Sequence, residues 1–478
     1  MTTAHERVAR EDLLTFVSAC FACTGQREFY SDSRGQGVSI RFLHDYVLGN
    51  YRPLYARMLA CGINDYNQAE ILYRLLASGK DVAPADRAEE GALIHRGLER
   101  LPTQRAMRLL ARLAEGRVNN RRTRAIVRRY LASSGERELR AIKYRHNFRV
   151  AAAHAHVPFD GELASLFVKG WREKVYQTPL FESFRRAHFA QDAIYELPYS
   201  IAEGLARKHK VPRDVFLRRI EPRMTNLEKL RLQETTREVL GTAVDFDPAR
   251  LSPTRLASYV LSLAPRERCD RRTALTAAVE ASAARAVRRT HARFGRVACV
   301  LDRSWSASGS SEKRRRPLAV ALATSWFVRA AAVEARMFWT SPTPDELVVD
   351  AVGQTDLVTP LLEAMAWQPD LVIIVSDGFD NDPPGTAGEL VAVARAHRLC
   401  PFTLHVNPVF DDISLGPKPL GAALPTMGIR DAEDLPTAIA FGELAYGDGS
   451  FTRLTDVLDA RVARFLADRR ADRQAAAP

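Results

Sequence analysis

Along the first 290 residues, apolar side chains recur three and four positions apart. The pattern is plain in AEILYRLLAS (69–78), QRAMRLLARLAEG (104–116), RTRAIVRRYLASSG (122–135) and TALTAAVEASAARAVRRTHARF (273–294), with basic residues on the opposite side of each. That period predicts amphipathic helices, separated at short intervals by Gly, Pro and Asn breaks. Many short helices that cannot bury their faces alone predict a HEAT-like helical-repeat array. From Arg296 the rhythm changes to strands alternating with helices. RVACVLD (296–302), AVEARMFW (332–339), DLVIIVSD (370–377) and FTLHVNP (402–408) read as strands; PLAVALATSWFVRAA (317–331), DLVTPLLEAMAW (356–367), GELVAVARAHRL (388–399) and LTDVLDARVARFLADRR (454–470) read as helices. Such alternation predicts a doubly wound parallel sheet. The expected organisation is therefore α followed by α/β: a helical domain over 1–292 and an α/β domain over 296–470. The Pro- and Gly-rich stretch 408–428 reads as a long surface loop.

Charge divides the chain the same way. Residues 1–300 hold 52 Lys and Arg against 33 Asp and Glu, whereas residues 301–478 hold 17 against 24. The basic excess concentrates in residues 101–150, with 14 basic and 3 acidic residues. Such a block is an electrostatic footprint for a polyanion. Its candidate contacts are Arg121, Arg122, Arg124, Arg128, Arg129, Arg140, Lys143, Arg145 and Arg149, whose cationic groups suit phosphates. Tyr144 or Phe148 could stack an unpaired base there.

Two apolar runs end in carboxylates. Asp302, Ser304 and Ser306 follow the first strand of the α/β part in VLDRSWSAS, and Asp377 ends LVIIVSD; Thr355 lies between them in VGQTDL. The carboxyl edge of an open α/β sheet is where such folds bind ligands. Five oxygen-bearing side chains there suit a hard cation such as Mg²⁺, with positions left for water or a ligand. Asp380 and Asp382, close by, read as turn formers. The basic run Lys313–Arg316 reads either as a cluster near the rim of this site or as a solvated turn.

The Asp-x-Ser-x-Ser, Thr and Asp segments resemble the metal-ion-dependent adhesion site of the von Willebrand factor A family, over roughly the last 180 residues. That resemblance implies a doubly wound A domain holding Mg²⁺ at Asp302, Ser304, Ser306, Thr355 and Asp377, where a partner's acidic side chain completes the shell. A helical array followed by an A domain resembles the Ro (TROVE) family in architecture. This second resemblance implies RNA binding, to small structured or misfolded RNA. An alternative keeps the A domain and changes the partner: many A-domain proteins also resemble adaptors of MoxR-type AAA+ ATPases, protein-assembly modules without RNA.

Enzyme classes find little support. The chain has no GxxxxGK[ST] loop, HExxH or GxSxG motif, and His154 and His156 lack acidic or Cys companions at metal spacing. Cys20 and Cys23 form a lone CxxC and read as core thiols of an early helix. No apolar run approaches the ~18 residues of a membrane span, and the charged N-terminus is unlike a secretory signal. A cytoplasmic, non-enzymatic binding protein is expected.

Overall fold

The computed structural model describes residues 4–28, 32–133, 136–446 and 451–467. The last residues of the expected terminal helix and α/β domain lie outside them. The chain divides into two compact units, one of residues Met1–Ile71, Ala88–Leu93 and Pro248–Pro478, the other of Leu72–Arg87 and Ile94–Asp247. The first unit thus combines an N-terminal helical segment with everything after residue 247, a division distinct from the composition break near 292–296.

The first unit contains a parallel sheet built from β1 (Phe294–Leu301), β2 (Ala332–Trp339), β3 (Leu371–Val375), β4 (Phe402–Asn407) and β5 (Thr426–Gly428), in the order β2-β1-β3-β4-β5. All five residues of β3 are buried, as are the last five of β1; β-branched runs of this kind suit a strand covered on both faces. The helix Arg316–Ala331 is buried continuously from Pro317 to Val328. It packs between β1 and β2 and the helices Pro253–Ser262 and Arg272–Thr290, so it is apolar all round where a surface helix would be amphipathic. β5 falls at the end of the stretch expected to be loop. With three residues and Pro425 before it, it carries too little period-2 pattern to be read as a strand.

The edge beyond β5 is covered by the N-terminal helix Ala4–Ala22. The Gly428 amide donates to Ser18 Oγ at 2.7 Å, and a Cβ at Gly428 would lie 2.1 Å from the Ser18 carbonyl oxygen. Glycine is what permits this approach, and a covered edge cannot pair with another chain. Cys20 and Cys23 are free thiols buried in this part of the core, where Asn64 and Asn67 bond their carbonyls.

The second unit is helical among the described residues. The helix Arg121–Ala132 buries Thr123, Ile126, Val127, Tyr130 and Leu131, and Asn120 caps it by accepting the Thr123 amide at 2.9 Å. The helix Arg145–His154 buries Phe148, which packs with Phe167 and Phe159. No helix among the described residues is long and apolar enough to cross a membrane.

Candidate metal centre and basic surface

β1 is flanked by β2 on one side and β3 on the other, so the strand order reverses between β1 and β3, the position at which doubly wound sheets open a crevice. Leu301 pairs with Val375 in register, and the Asp302 amide continues that ladder to the Val375 carbonyl at 3.0 Å. Asp302 and Asp377 therefore leave adjacent strands at the same level. Thr355 arrives on a loop tied to both: Trp305 N donates to Gly353 O at 3.0 Å, Val352 N to Arg303 O at 2.8 Å, and the amides of Asn381 and Asp382 to Thr355 O at 3.3 and 3.2 Å. Backbone bonds thus lace the three segments together without using the five side chains.

Two arginines brace this lacing. Arg303, between Asp302 and Ser304, donates to the carbonyls of Asp350 and Pro342 at 3.1 and 3.0 Å. Arg268, 1% exposed, donates to Leu263, Val349 and Leu261 carbonyls at 2.9, 2.9 and 3.1 Å. Neither stood out in the sequence, because a buried arginine serving carbonyls has no local pattern. Gly378, at φ +84°, turns the chain after Asp377 where a Cβ would lie 2.4 Å from the Lys418 carbonyl. The stretch 408–428 borders the cluster at this point, with Lys418 Nζ 3.4 Å from the Phe379 ring centroid.

All five oxygen-donor residues are buried, Asp302 to 3%, Ser304 to 1%, Ser306 to 8%, Thr355 to 1% and Asp377 to 2% exposure. Ser304 Oγ and Ser306 Oγ lie 3.2 Å apart. Asp302 Oδ1 accepts the Ser304 amide at 2.7 Å, and Asp377 Oδ1 accepts the Phe379 amide at 3.1 Å. Asp377 Oδ2 is buried with no hydrogen-bond partner. Burial, then the charge of Asp377, pushes Asp302 up to about 7, and burial also raises Asp377. Two carboxylates are thus held out of water beside one another, which disfavours both charged forms unless a cation joins them. The donor set is all oxygen and contains an orphaned carboxylate atom, so it fits a hard divalent ion. Among the described residues no group of three or more His, Cys, Asp or Glu is placed to hold a metal ion; a cation here would rely on hydroxyls and water to complete its shell. Asp380, read as a turn former, caps the helix Thr386–Ala396 by accepting the Ala387 amide at 2.8 Å. Trp305, between the two serines, is 67% exposed, and sequence reasoning gave it no part.

The basic block divides into two sets. Arg121, Arg128, Arg129, Lys143 and Arg149 are exposed, and Arg122, Arg124 and Arg145 half-buried. Arg140, 5% exposed, turns inward to donate to Tyr130 O at 3.0 Å and Ser133 O at 2.8 Å. Arg145 caps the helix Gly161–Val168 by donating to Leu166 O at 2.7 Å, and Arg128 donates to Ala155 O at 2.9 Å beyond the helix Arg145–His154. These three close helix ends, a role whose carbonyl partners lie 7 to 27 positions away. Arg140 thereby leaves the accessible set, and Phe148, at 1% exposure, is core and offers no face to a base. His154 likewise serves packing, with Nε2 2.9 Å from Val118 O.

The same unit carries an aromatic group that the sequence did not announce. Trp171 stacks on His188 with centroids 5.3 Å apart and meets Phe189 edge-on at 5.5 Å. Arg172 and Lys208 stand 5.0 and 4.9 Å from the Trp171 ring centroid, and Phe189 is 61% exposed. Burial, then Lys208, lowers His188 to about 4, so the stacked imidazole is neutral near pH 7.

The fold and site define a helical protein with a doubly wound α/β part and an oxygen-donor cluster at its switch point. No protein-family model and no curated protein match the chain. Among solved structures it is similar to the crystal structure of the Deinococcus radiodurans Ro (RSR) protein, at 15% identity and a TM-score of 0.42, over 92% of this chain and 100% of that one. A likeness this distant carries neither function nor site residues across.

Proposed function

We propose that the chain is an RNA-binding protein that grips RNA on the Leu72–Asp247 unit and docks an acidic protein partner through a divalent cation, Mg²⁺, on the other. One observation carries the RNA reading. Among the described residues no carboxylate pairs with Arg121, Arg129, Lys143 or Arg149, whereas other cations of that unit are neutralised, as in Lys169–Glu173, Arg185–Glu182, Arg186–Glu196 and Arg213–Glu203. Unneutralised cations on a folded surface attract phosphates through counterion release. Phe189 and Trp171, flanked by Arg172, Arg185 and Lys208, add faces on which an unpaired base can stack.

Asp302, Ser304, Ser306, Thr355 and Asp377 would hold the cation, which when bound supplies a coordination position open to a partner's carboxylate. The chain's own part is to pre-set the oxygens: the backbone lacing fixes the three segments, and the buried carboxylates are relieved of mutual repulsion when a cation enters. Binding rather than catalysis is the role this arrangement supports.

The test is fluorescence anisotropy of the full chain with a structured RNA bearing a single-stranded end, at several salt concentrations. For a single-stranded contact each phosphate lost flattens the slope of log affinity against log salt by ~0.7. The Arg121→Gln, Arg129→Gln, Arg149→Gln triple variant is therefore expected to lower it by about 2. Identical slope and affinity in both proteins would refute RNA binding on this face and favour the ATPase-adaptor reading.

A further inference from the structure

Beside β4 and β5, at the carboxyl edge of the sheet, the first unit carries an open cavity of about 270 Å³ to which none of the five oxygen-donor residues contributes. Its wall carries Lys313, Arg314, Arg316 and Arg430 against one carboxylate, Glu312, together with Thr24. Lys313, Arg314 and Arg316 of the basic run thus line this cavity.

The cations are held in place. Arg316 and Arg430 share a single carboxylate, Asp431, at 2.7 and 2.6 Å, so two guanidinium groups are oriented by one negative charge while each keeps further N–H donors. Lys313 is buried against Glu28. Glu312, the one acid of the wall, accepts the Arg27 amide at 2.9 Å. Arg314 is exposed and has no acidic partner among the described residues. Two independent features point the same way. Arg316 opens the helix Arg316–Ala331, whose cap position, Arg315, supplies no side-chain hydrogen bond to the first amides, leaving the positive end of its dipole uncompensated. Thr24 Oγ1 is buried with no hydrogen-bond partner.

We propose that this cavity binds the phosphate of a small phosphomonoester, of sugar-phosphate or mononucleotide size. Fork-shaped guanidinium donors match pairs of phosphate oxygens, and the helix end favours a dianion. The volume lies just under the ~300 Å³ at which drug-sized ligand sites begin, which suits a phosphate with one sugar-sized group.

Calorimetric titration of the full chain with ribose 5-phosphate and with inorganic phosphate, in EDTA and at constant ionic strength, tests this without involving the oxygen cluster. Saturable one-to-one binding of ribose 5-phosphate is expected, weakened about tenfold by Arg314→Gln, which deletes one charge-assisted hydrogen bond, and unaltered by Arg121→Gln. Arg314 is exposed, so the variant keeps its fold. Absence of saturable heat up to about 10 mM, where even a millimolar site fills, would overturn the proposal. Equal affinity in wild type and Arg314→Gln would do the same. Binding of inorganic phosphate alone, or of a 5′-phosphorylated RNA with ribose 5-phosphate silent, would overturn the monoester assignment.

Discussion

Replacing Asp302 with Asn separates the cost of the buried carboxylate pair from the metal affinity proposed for it. Burial and the charge of Asp377 push Asp302 up to about 7 from the 3.8 of an ordinary aspartate, and every tenfold change in proton affinity corresponds to about 1.36 kcal/mol. Above pH 7 the cation-free wild type therefore carries a penalty on the order of 4 kcal/mol at this side chain, which the neutral amide lacks. Asp302→Asn also leaves the amide of Ser304 a carbonyl to donate to, so the 2.7 Å turn contact has a substitute. In EDTA at pH 8 the variant should be at least as stable as the wild type in chemical or thermal unfolding of the full chain. Saturating Mg²⁺ should then separate them the other way: a ligand at a hundred times its dissociation constant adds ~2.7 kcal/mol to the form that binds it, a gain expected for the wild type and absent from the variant. A variant clearly less stable than wild type in EDTA, or one that gains as much from Mg²⁺, would refute the reasoning that these carboxylates are arranged for a cation.

Burial lowers His405 to about 3 from 6.5. The folded state keeps it neutral while the unfolded chain takes up a proton below pH ~6.5, so this group's contribution to stability falls as pH drops from 6.5 towards 3. Wild type should lose ~2 kcal/mol more than His405→Gln between pH 7 and pH 5 in urea unfolding, and equal losses would refute this. Arg140→Gln should cost about 1–3 kcal/mol by taking from the Ser133 carbonyl its guanidinium donor, the Tyr130 carbonyl keeping the Ser133 hydroxyl, while Arg121→Gln, on the exposed side of the same basic block, should stay within about 0.5 kcal/mol. Thermal melts compare the two directly. Gly428→Ala should cost roughly 1–3 kcal/mol by forcing the helix Ala4–Ala22 from β5, and Gly49→Ala, where nothing lies within 4 Å of the new methyl, should be neutral or stabilising in the same melts.

What the sequence determined by itself was whatever a short window can encode. The runs that became β1 and β3 are continuous and apolar, and apolar stretches of strand and helix length alternate from Arg296 onward, so that alternation pointed to a doubly wound sheet. The carboxylates Asp302 and Asp377 were legible for the same reason: each ends an apolar run at the edge where such sheets open. Tertiary structure decided what depends on partners far along the chain. Nothing near Ser18 or Gly428 indicates that an N-terminal helix covers the last strand, because their contact spans 410 positions. Arg121 and Arg140 look alike in sequence, yet one faces solvent and the other satisfies two carbonyls, since a guanidinium is equally suited to a phosphate and to a helix end. Lys313, Arg314 and Arg316 became the wall of a cavity only when the segments bearing Thr24, Pro408 and Arg430 closed around them. Local pattern sets which residues can form an element or carry a charge; which of those charges remains free is settled by the long-range packing that pairs the rest.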